Sequence, residues 1–355
     1  MQVKGRCHAL FAFDVAREID VELAERRLAS PALAKTFQHK QRVALGRGRL
    51  QGPYRVTRTA DAESVGRWRT TPEVEIALYP FGALCVTWSI PFDGPLEDLI
   101  ELSAALYANE VLASSSRDLC ARVLEPLGDA AHKAGIADVV EDYVLFHVES
   151  PKEAVEAASR DPHTVARILR AEPAPLAAQE IENALHHEVA YRSDEVCQVD
   201  WLAAFMVGEE LQDELRVLEY SIVELLELRW LDAQLGRAID VSYEELSKRR
   251  GLIAGLGPRS KELERIARMQ ADSAALHEGF DNVLKLYGDD YLARLYRAAS
   301  ERFHFTEWDV SIRRKVETLD STYQKLSDQA GRRRSELLEW IIIALIAGEI
   351  VTALV

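Results

Sequence analysis

The spacing of apolar residues changes near Gly208, and this change constrains the fold more than any other feature of the sequence. Before it, apolar and polar residues alternate, as in Val74, Ile76 and Leu78, which is the period of a strand with one buried face. After it, the period is that of an amphipathic helix, with apolar residues at Leu211, Leu215, Leu218, Ile222 and Leu225. The sequence therefore predicts an α+β chain in which a sheet precedes long helices.

Residues 1–207 carry the strand signals. Two alternating segments, 73–79 and 84–90, flank the turn residues Pro80 and Gly82 and predict a hairpin. The apolar run 143–148 is typical of a strand covered on both faces, and the run 196–207 is predicted to be a further strand. We predict that residues 1–207 form an α+β domain, a mostly antiparallel sheet with packed helices.

Residues 208–336 are predicted to form a helical hairpin or bundle that extends from this domain as a stalk. The clearest run of alternating four- and three-residue steps is Ile312, Val316, Leu319, Tyr323, Leu326 and Ala330. This spacing is typical of a coiled-coil-like seam. The sequence leaves open whether one chain or a second copy fills the seam.

The last 19 residues, Leu337–Val355, form an apolar segment. As a helix it would span roughly 28 Å, close to the hydrocarbon thickness of a bilayer. The preceding cations Arg332, Arg333 and Arg334 and the interfacial position of Trp340 favour a transmembrane helix that anchors the chain to the cytoplasmic face of a membrane. The alternative is an apolar helix buried in a soluble cytoplasmic oligomer.

Glu349 lies inside this apolar segment. A carboxylate in hydrocarbon needs a partner or a proton, so in either case we expect Glu349 to face protein. The expected partner is a second copy of the chain. The sequence therefore predicts a homo-oligomer formed through the long helices and the tail.

The tail also resembles the C-terminal signature of the required-for-meiotic-nuclear-division (sporulation-type) family. The residues that carry the resemblance are Arg333-Arg334-Ser335, Leu338-Glu339-Trp340-Ile341-Ile342-Ile343, Leu345-Ile346 and Glu349-Ile350-Val351. The resemblance implies a divergent bacterial-type member with an α/β N-terminal part, long helices and a terminal apolar segment. It implies no catalytic residues, while some members of the family support organellar translation.

Charge is unevenly distributed in this chain of net charge −15. The net charge argues against wholesale wrapping of nucleic acid. Between Glu180 and Glu245 there are 17 acidic and 4 basic residues, which we interpret as solvated helix faces. The segment 35–58 is basic without a single acid, and it is a candidate surface for RNA or anionic lipid: Lys35, Lys40, Arg42, Arg47, Arg49, Arg55 and Arg58.

The residue types that commonly carry chemistry do not form a recognisable motif. Adjacent histidines His186 and His187 point to different faces of a helix and lack the HExxH spacing of a zinc site. His277 fits a hydrogen-bonded histidine on an apolar seam. The four cysteines have no CxxC spacing. We therefore predict no catalytic, cofactor-binding or metal site.

Two functions remain after these exclusions. The first is a non-enzymatic, membrane-tethered, self-associating scaffold or adaptor, indicated by the tail and the helical seam. The alternative is an RNA- or ribosome-associated factor that supports translation through the basic 35–58 segment.

Overall fold

Most strands of the N-terminal part form one large sheet. The computed structural model describes residues 2–28, 52–149, 161–248 and 290–322. Its strands are β1 (Gln2–Asp14), β2 (Glu18–Ile19), β3 (Tyr54–Thr59), β4 (Ser64–Val65), β5 (Trp68–Arg69), β6 (Glu73–Leu78), β7 (Ala83–Pro95), β8 (Ala131–His132), β9 (Val140–Glu149), β10 (Glu188–Val189), β11 (Val196–Val199) and β12 (Ala203–Val207).

Within the described residues, eight of these strands pair in the order β10-β11-β12-β9-β1-β7-β6-β3. The β12–β9 pair is parallel and the others are antiparallel, so the sheet is mixed. The predicted hairpin is confirmed as β6–β7, with Ile76 opposite Val86. Its turn needs Gly82, which has φ of +106° and lies so close to the backbone of Ala16 that a Cβ would be 1.8 Å from the Ala16 oxygen.

Helices lie both between the strands and after the last strand. They are α1 (Val21–Leu28), α2 (Asp98–Leu106), α3 (Glu110–Leu127), α4 (Pro162–Arg170), α5 (Ala178–Ala184), α6 (Gln212–Lys248), α7 (Asp290–Arg302) and α8 (305–322). Helix α1 begins at a side-chain cap, because Asp20 Oδ1 accepts a hydrogen bond of 3.0 Å from the Leu23 amide. The α+β class is confirmed, with a large mixed sheet and helices on it.

One face of the sheet, which we call the first face, is apolar and packs against α1 to α4. Alternate residues of β1, β7 and β9 point into it, including Phe11, Trp88 and Phe146, each at most 3% exposed. The indole of Trp88 donates a 2.8 Å hydrogen bond to Ser116 Oγ on α3, which satisfies its one polar atom. This face holds the main hydrophobic core.

The opposite face, which we call the second face, is partly polar and carries α6 and α7. The ring of Tyr143 on β9 lies 5.5 Å, centroid to centroid, from that of Phe303, which directly follows α7. Farther along α6, Arg229 Nη1 lies 2.5 Å from Glu141 Oε1 on β9. Helices on both faces make the sheet the middle layer of this unit.

The described residues divide into two units. The first contains residues up to Trp230 and those from 290 to Thr306; the second contains Leu231 to 248 and Glu307 to 322. The predicted domains 1–207, 208–336 and 337–355 stay predictions.

In the second unit, α6 and α8 lie side by side. Lys315 Nζ is 2.7 Å from Asp232 Oδ2, and Ser311 Oγ donates to Asp232 Oδ1 at 2.8 Å. Near Asp232, therefore, α6 and α8 of the same chain contact each other where the seam is predicted. A coiled coil itself stays a prediction.

Two predictions need correction. The prediction of a transmembrane protein conflicts with the described helices, none of which is both long and apolar enough to cross a bilayer. The segment that carried this prediction, 337–355, lies outside the described residues. The run 196–207, predicted as one strand, is two antiparallel strands, because the chain reverses after Asp200, whose amide bonds to the Ala203 oxygen at 2.9 Å.

Candidate functional site

A buried group of charged side chains joins the second face of the sheet to α6. We call it the arginine–glutamate cluster, and it consists of Arg55 on β3, Glu75 on β6, Tyr79 just after β6, and Arg216 and Glu219 on α6. Glu219 and Tyr79 are 2% and 1% exposed. In a small region the cluster therefore combines two cations and two carboxylates with a phenol.

The contacts in the cluster are mutual. Arg55 Nη1 donates to Glu75 Oε1 at 2.8 Å and to Glu219 Oε2 at 2.9 Å. Arg216 binds both oxygens of Glu75, with Nη2 2.9 Å from Oε2, and its Nη1 donates to Glu219 at 3.1 Å. The Tyr79 hydroxyl donates to Glu219 Oε1 at 2.6 Å. Each carboxylate is thus held by both arginines.

The local sequence explains how these side chains meet. Glu75 alternates with Val74 and Ile76 on β6, so its side chain faces away from the apolar core. Arg216 and Glu219 are three residues apart on α6 and therefore share one helix face. The first turns of α6 lie across the strands where Glu75 emerges, and the two sets of charges pair.

Electrostatic interactions in the cluster keep Glu75 ionised and Tyr79 protonated. Burial opposes ionisation of Glu75, but hydrogen bonds and charge from Arg216 and Arg55 outweigh it and lower the pKa of the carboxyl. Burial, together with the neighbouring Glu219 charge, raises the pKa of Tyr79 well above its usual value. The cluster is suited to holding α6 on the sheet, since its carboxylates are saturated with donors and its phenol stays protonated.

A second buried carboxylate, Asp200, holds α4 and α7 at the β11–β12 turn. Asp200 is fully buried, and its oxygens contact Arg170 Nε at 2.5 Å and Arg302 Nη2. Tyr143 donates to the Asp200 carbonyl at 2.8 Å. The geometry again fixes elements in place, because two arginines enclose one acid.

His186 and His187 lie at the margin of this region, with ring centroids 4.9 Å apart and planes at 87°. His187 Nδ1 is 3.9 Å from Glu301 Oε2, and burial followed by the His186 charge lowers the pKa of His187. Among the described residues, no group of histidine, cysteine and acidic side chains has metal-binding geometry. His277 lies outside the described residues.

Two of the seven basic residues predicted as an anionic-partner surface are described. Arg55 belongs to the arginine–glutamate cluster, and Arg58 Nη2 donates to the Leu28 carbonyl at 3.3 Å. Both guanidinium groups are therefore used inside the chain. The other five, Lys35, Lys40, Arg42, Arg47 and Arg49, lie outside the described residues, as do Arg332, Arg333, Arg334, Trp340 and Glu349.

Sequence reasoning missed the residues that form the two ion clusters. It interpreted the acidic segment as solvated, whereas Glu214, Glu219, Glu224 and Glu227 of α6 are at most 7% exposed. A signal was present: these glutamates stand in a run that is apolar on every side, such as Ile222-Val223-Glu224-Leu225-Leu226. A helix that is apolar all round is a buried helix, and its acids need internal partners.

The fold and these clusters define an α+β protein in which paired charges hold helices on a mixed sheet. Residues 4–214 match the family model described as the N-terminal domain of the uncharacterized protein MJ0711. The match covers more than half of the chain, and the chain belongs to this family.

The uncharacterized protein MJ0711 of Methanocaldococcus jannaschii is 24% identical to the chain over 218 residues. The alignment covers 61% of this chain and 66% of the relative. No solved structure matches the chain.

The resemblance to the required-for-meiotic-nuclear-division family is therefore wrong. It rested on about twenty residues of the tail, where an apolar helix with preceding arginines gives a pattern that unrelated chains share for physical reasons. The family match lies instead in the sheet-forming residues.

Proposed function

We propose that the protein is a non-enzymatic scaffold or adaptor that self-associates through its helical second unit. The observation that carries this proposal is the placement of exposed apolar side chains on that unit. Val241 and Tyr243 near the end of α6 are 51% and 55% exposed, and Val310 on α8 is 55% exposed. Val241 and Tyr243 are two residues apart and point to different sides of the helix, so each is a separate candidate contact for a second copy of the chain.

The packing of α6 and α8 supports the same proposal. Leu231 and Leu235 are buried on α6, and Ile312 and Leu319 are buried on α8, each pair at helical spacing. Val241, Tyr243 and Val310 lie outside this buried set. Since Ile312 and Leu319 of the predicted seam are buried within the chain, the contact that we propose with a second copy lies on the exposed apolar side chains outside this set.

The use of charge in the first unit also favours a structural role. The ionised groups that could carry chemistry, such as Glu75, Glu219 and Asp200, are engaged in holding helices on the sheet. Glu75 is a poor general base, because hydrogen bonds and charge from Arg216 and Arg55 lower its pKa and occupy its lone pairs.

The test is the mass of the full chain in solution. We expect the wild-type chain to form a discrete oligomer at micromolar concentration, measured by light scattering after size exclusion and by sedimentation. Replacing Val241, Tyr243 and Val310 together with serine should weaken association by at least about tenfold, a free-energy change of about 1.4 kcal/mol.

The matched control replaces Tyr107 and Val111 with serine, since these are 61% and 57% exposed on the first unit. That variant should keep the wild-type mass. A wild-type chain that stays monomeric at high micromolar concentration would reject the proposal, and so would equal weakening by the control.

The alternative is an RNA- or ribosome-associated function of the basic 35–58 segment. It has less support from the described residues, because Arg55 and Arg58 are used in internal contacts. Glutamate replacements at Arg47 and Arg49 test it, since these avoid the two internal arginines. Loss of RNA retention would favour the alternative, and unchanged retention would exclude this segment.

A further inference from the structure

The second face of the sheet is covered by α6 over only part of its length. Along β1, Leu10 and Ala12 are buried, His8 is half-buried, and Lys4 and Arg6 are exposed. Along the neighbouring β7, Ser89 is half-buried and Asp93 is exposed in the same way. We call the sheet surface that carries these side chains the open strip: Lys4, Arg6, His8, Ser89 and Asp93.

The two cations of the open strip differ in their neighbours. Lys4 is opposite Asp93 on one side and Glu149 on the other, so acids flank it in the sheet register. Arg6 is opposite Pro91 and His147, neither of which is acidic. Within the described residues, Arg6 forms no ion pair, and its guanidinium retains its donors for a ligand.

His8 and Ser89 lie directly beside Arg6. They are cross-strand partners on β1 and β7, and His8 Nδ1 is 3.3 Å from Ser89 Oγ. When the serine hydroxyl donates to Nδ1, the Nε2–H of His8 is left to donate elsewhere. Arg6 and His8 are two residues apart on one strand, so their side chains project from the same face.

We infer that Arg6, His8 and Ser89 form a binding site for an oxyanion, a carboxylate or a phosphate group, on the open strip. A guanidinium presents a planar fork of donors that matches such oxygens, and the neighbouring imidazole supplies a further hydrogen bond from Nε2, with Ser89 holding its ring through Nδ1. The adjacent strands β1 and β7 fix the spacing of these groups, so the site is built on rigid elements. The site is independent of self-association.

The pKa of His8 depends on the charges around it and therefore reports directly on anion binding at this site. Burial is the main reason that the pKa of His8 is lowered to about 4, and His147, Arg6 and Arg216 lower it further, while Glu75 opposes them. A bound anion beside His8 would favour the imidazolium and raise its pKa. Mere screening of charge by salt would act on Lys4 and Arg6 alike.

The experiment titrates inorganic phosphate, sulfate and acetate into the full chain at constant ionic strength, with the His8 ring followed by NMR. We expect a saturable shift of the His8 signals and a rise of its pKa by about one unit, which corresponds to a tenfold gain in proton affinity. Tighter binding of phosphate and sulfate would identify a phosphate-type ligand, and tighter binding of acetate a carboxylate. Either order supports the site.

Two exposed variants separate a built site from general charge. Arg6→Gln should weaken phosphate binding at least about tenfold, whereas the matched Lys4→Gln, on the same strand and face, should bind like the wild type. Unchanged His8 signals at saturating oxyanion in the wild-type chain would overturn the inference. Equal weakening by Lys4→Gln and Arg6→Gln would overturn it as well, since it would show screening alone.

Discussion

The two faces of the central sheet contact their helices through different interactions. The first face packs apolar side chains such as Trp88 and Phe146 against α1 to α4, and burial of nonpolar area stabilises it. The second face carries Arg55, Glu75 and His8 and is joined to α6 through ion pairs. One set of strands therefore presents an apolar surface and a charged surface to different helices.

The two faces therefore tolerate different kinds of amino-acid substitution. Dispersion and hydrophobic burial are non-directional, so the first face depends on volume. The arginine–glutamate cluster depends on direction and on every member being present, because removing one partner leaves a buried charge unpaired. In the part of the chain that the structure describes, the second face is exposed to solvent at one end, where Lys4 and Arg6 lie.

The largest effect is expected from Phe146→Ala, which empties a fully buried position of the first face. We expect a loss of about 4 kcal/mol in the free energy of unfolding, from lost burial and a residual cavity. Denaturant unfolding measures it. The neighbouring Leu145→Ala, which is equally buried but on the second face, should cost about 1 kcal/mol less, and a larger cost there would contradict the comparison.

Glu219→Ala tests the charged face directly. It removes the shared acceptor of Arg55, Arg216 and Tyr79, and we expect a loss of about 3 kcal/mol in the free energy of unfolding. A double-mutant cycle with Arg216→Ala should give a coupling energy above about 1 kcal/mol.

The control for this test is the exposed pair of Arg26 and Glu22 on α1, at 3.8 Å. Arg26→Ala should change the free energy of unfolding by less than about 0.5 kcal/mol. If Glu219→Ala were as mild as this surface change, the second face would not depend on its ion pairs.

A third effect, which is spread over a range of pH, concerns the carboxyl of Glu214 at the start of α6. Burial, with the Glu195 and Asp213 charges, raises its pKa to about 7. The folded state therefore holds more protons than the unfolded state between about pH 4.3 and 7, and the stabilisation falls as pH rises through this window, by up to about 1.4 kcal/mol per pH unit.

Glu214→Gln should remove this pH-dependent part of the free energy of unfolding. Urea unfolding from about pH 5 to 8 measures it. A difference from the wild type that is constant with pH would contradict the assignment. Glu75 has the opposite sign, since its pKa is lowered: its stabilisation is present above its unfolded pKa and is lost as pH falls through the folded pKa.

Much of the first face could be predicted from the sequence. Alternation placed Val74, Ile76 and Leu78 together and defined the β6–β7 hairpin, because the side-chain period of a strand is two. The helical period after Gly208 likewise predicted α6. Such patterns are local, and local patterns are what a single sequence displays.

The second face could not be predicted in the same way. Arg55 and Glu219 are 164 residues apart, and no spacing rule relates them. Asp200 and Arg302 likewise come together only after the strands and α7 are in place. The number of acidic residues in the segment 180–245 therefore led us to interpret its helix faces as solvated, although four of its glutamates are buried in the first unit.

Periodicity along the chain was sufficient to predict the α+β class, the sheet followed by long helices, and the apolar face of the strands. Which charges are paired and which face solvent depends on the tertiary fold. The physical reason is that a charge is tolerated in a protein interior only when a partner reaches it, and that partner is fixed by the fold. Arg55 and Arg6 are both basic residues in strands, yet the fold buries one against glutamates and leaves the other exposed on the open strip.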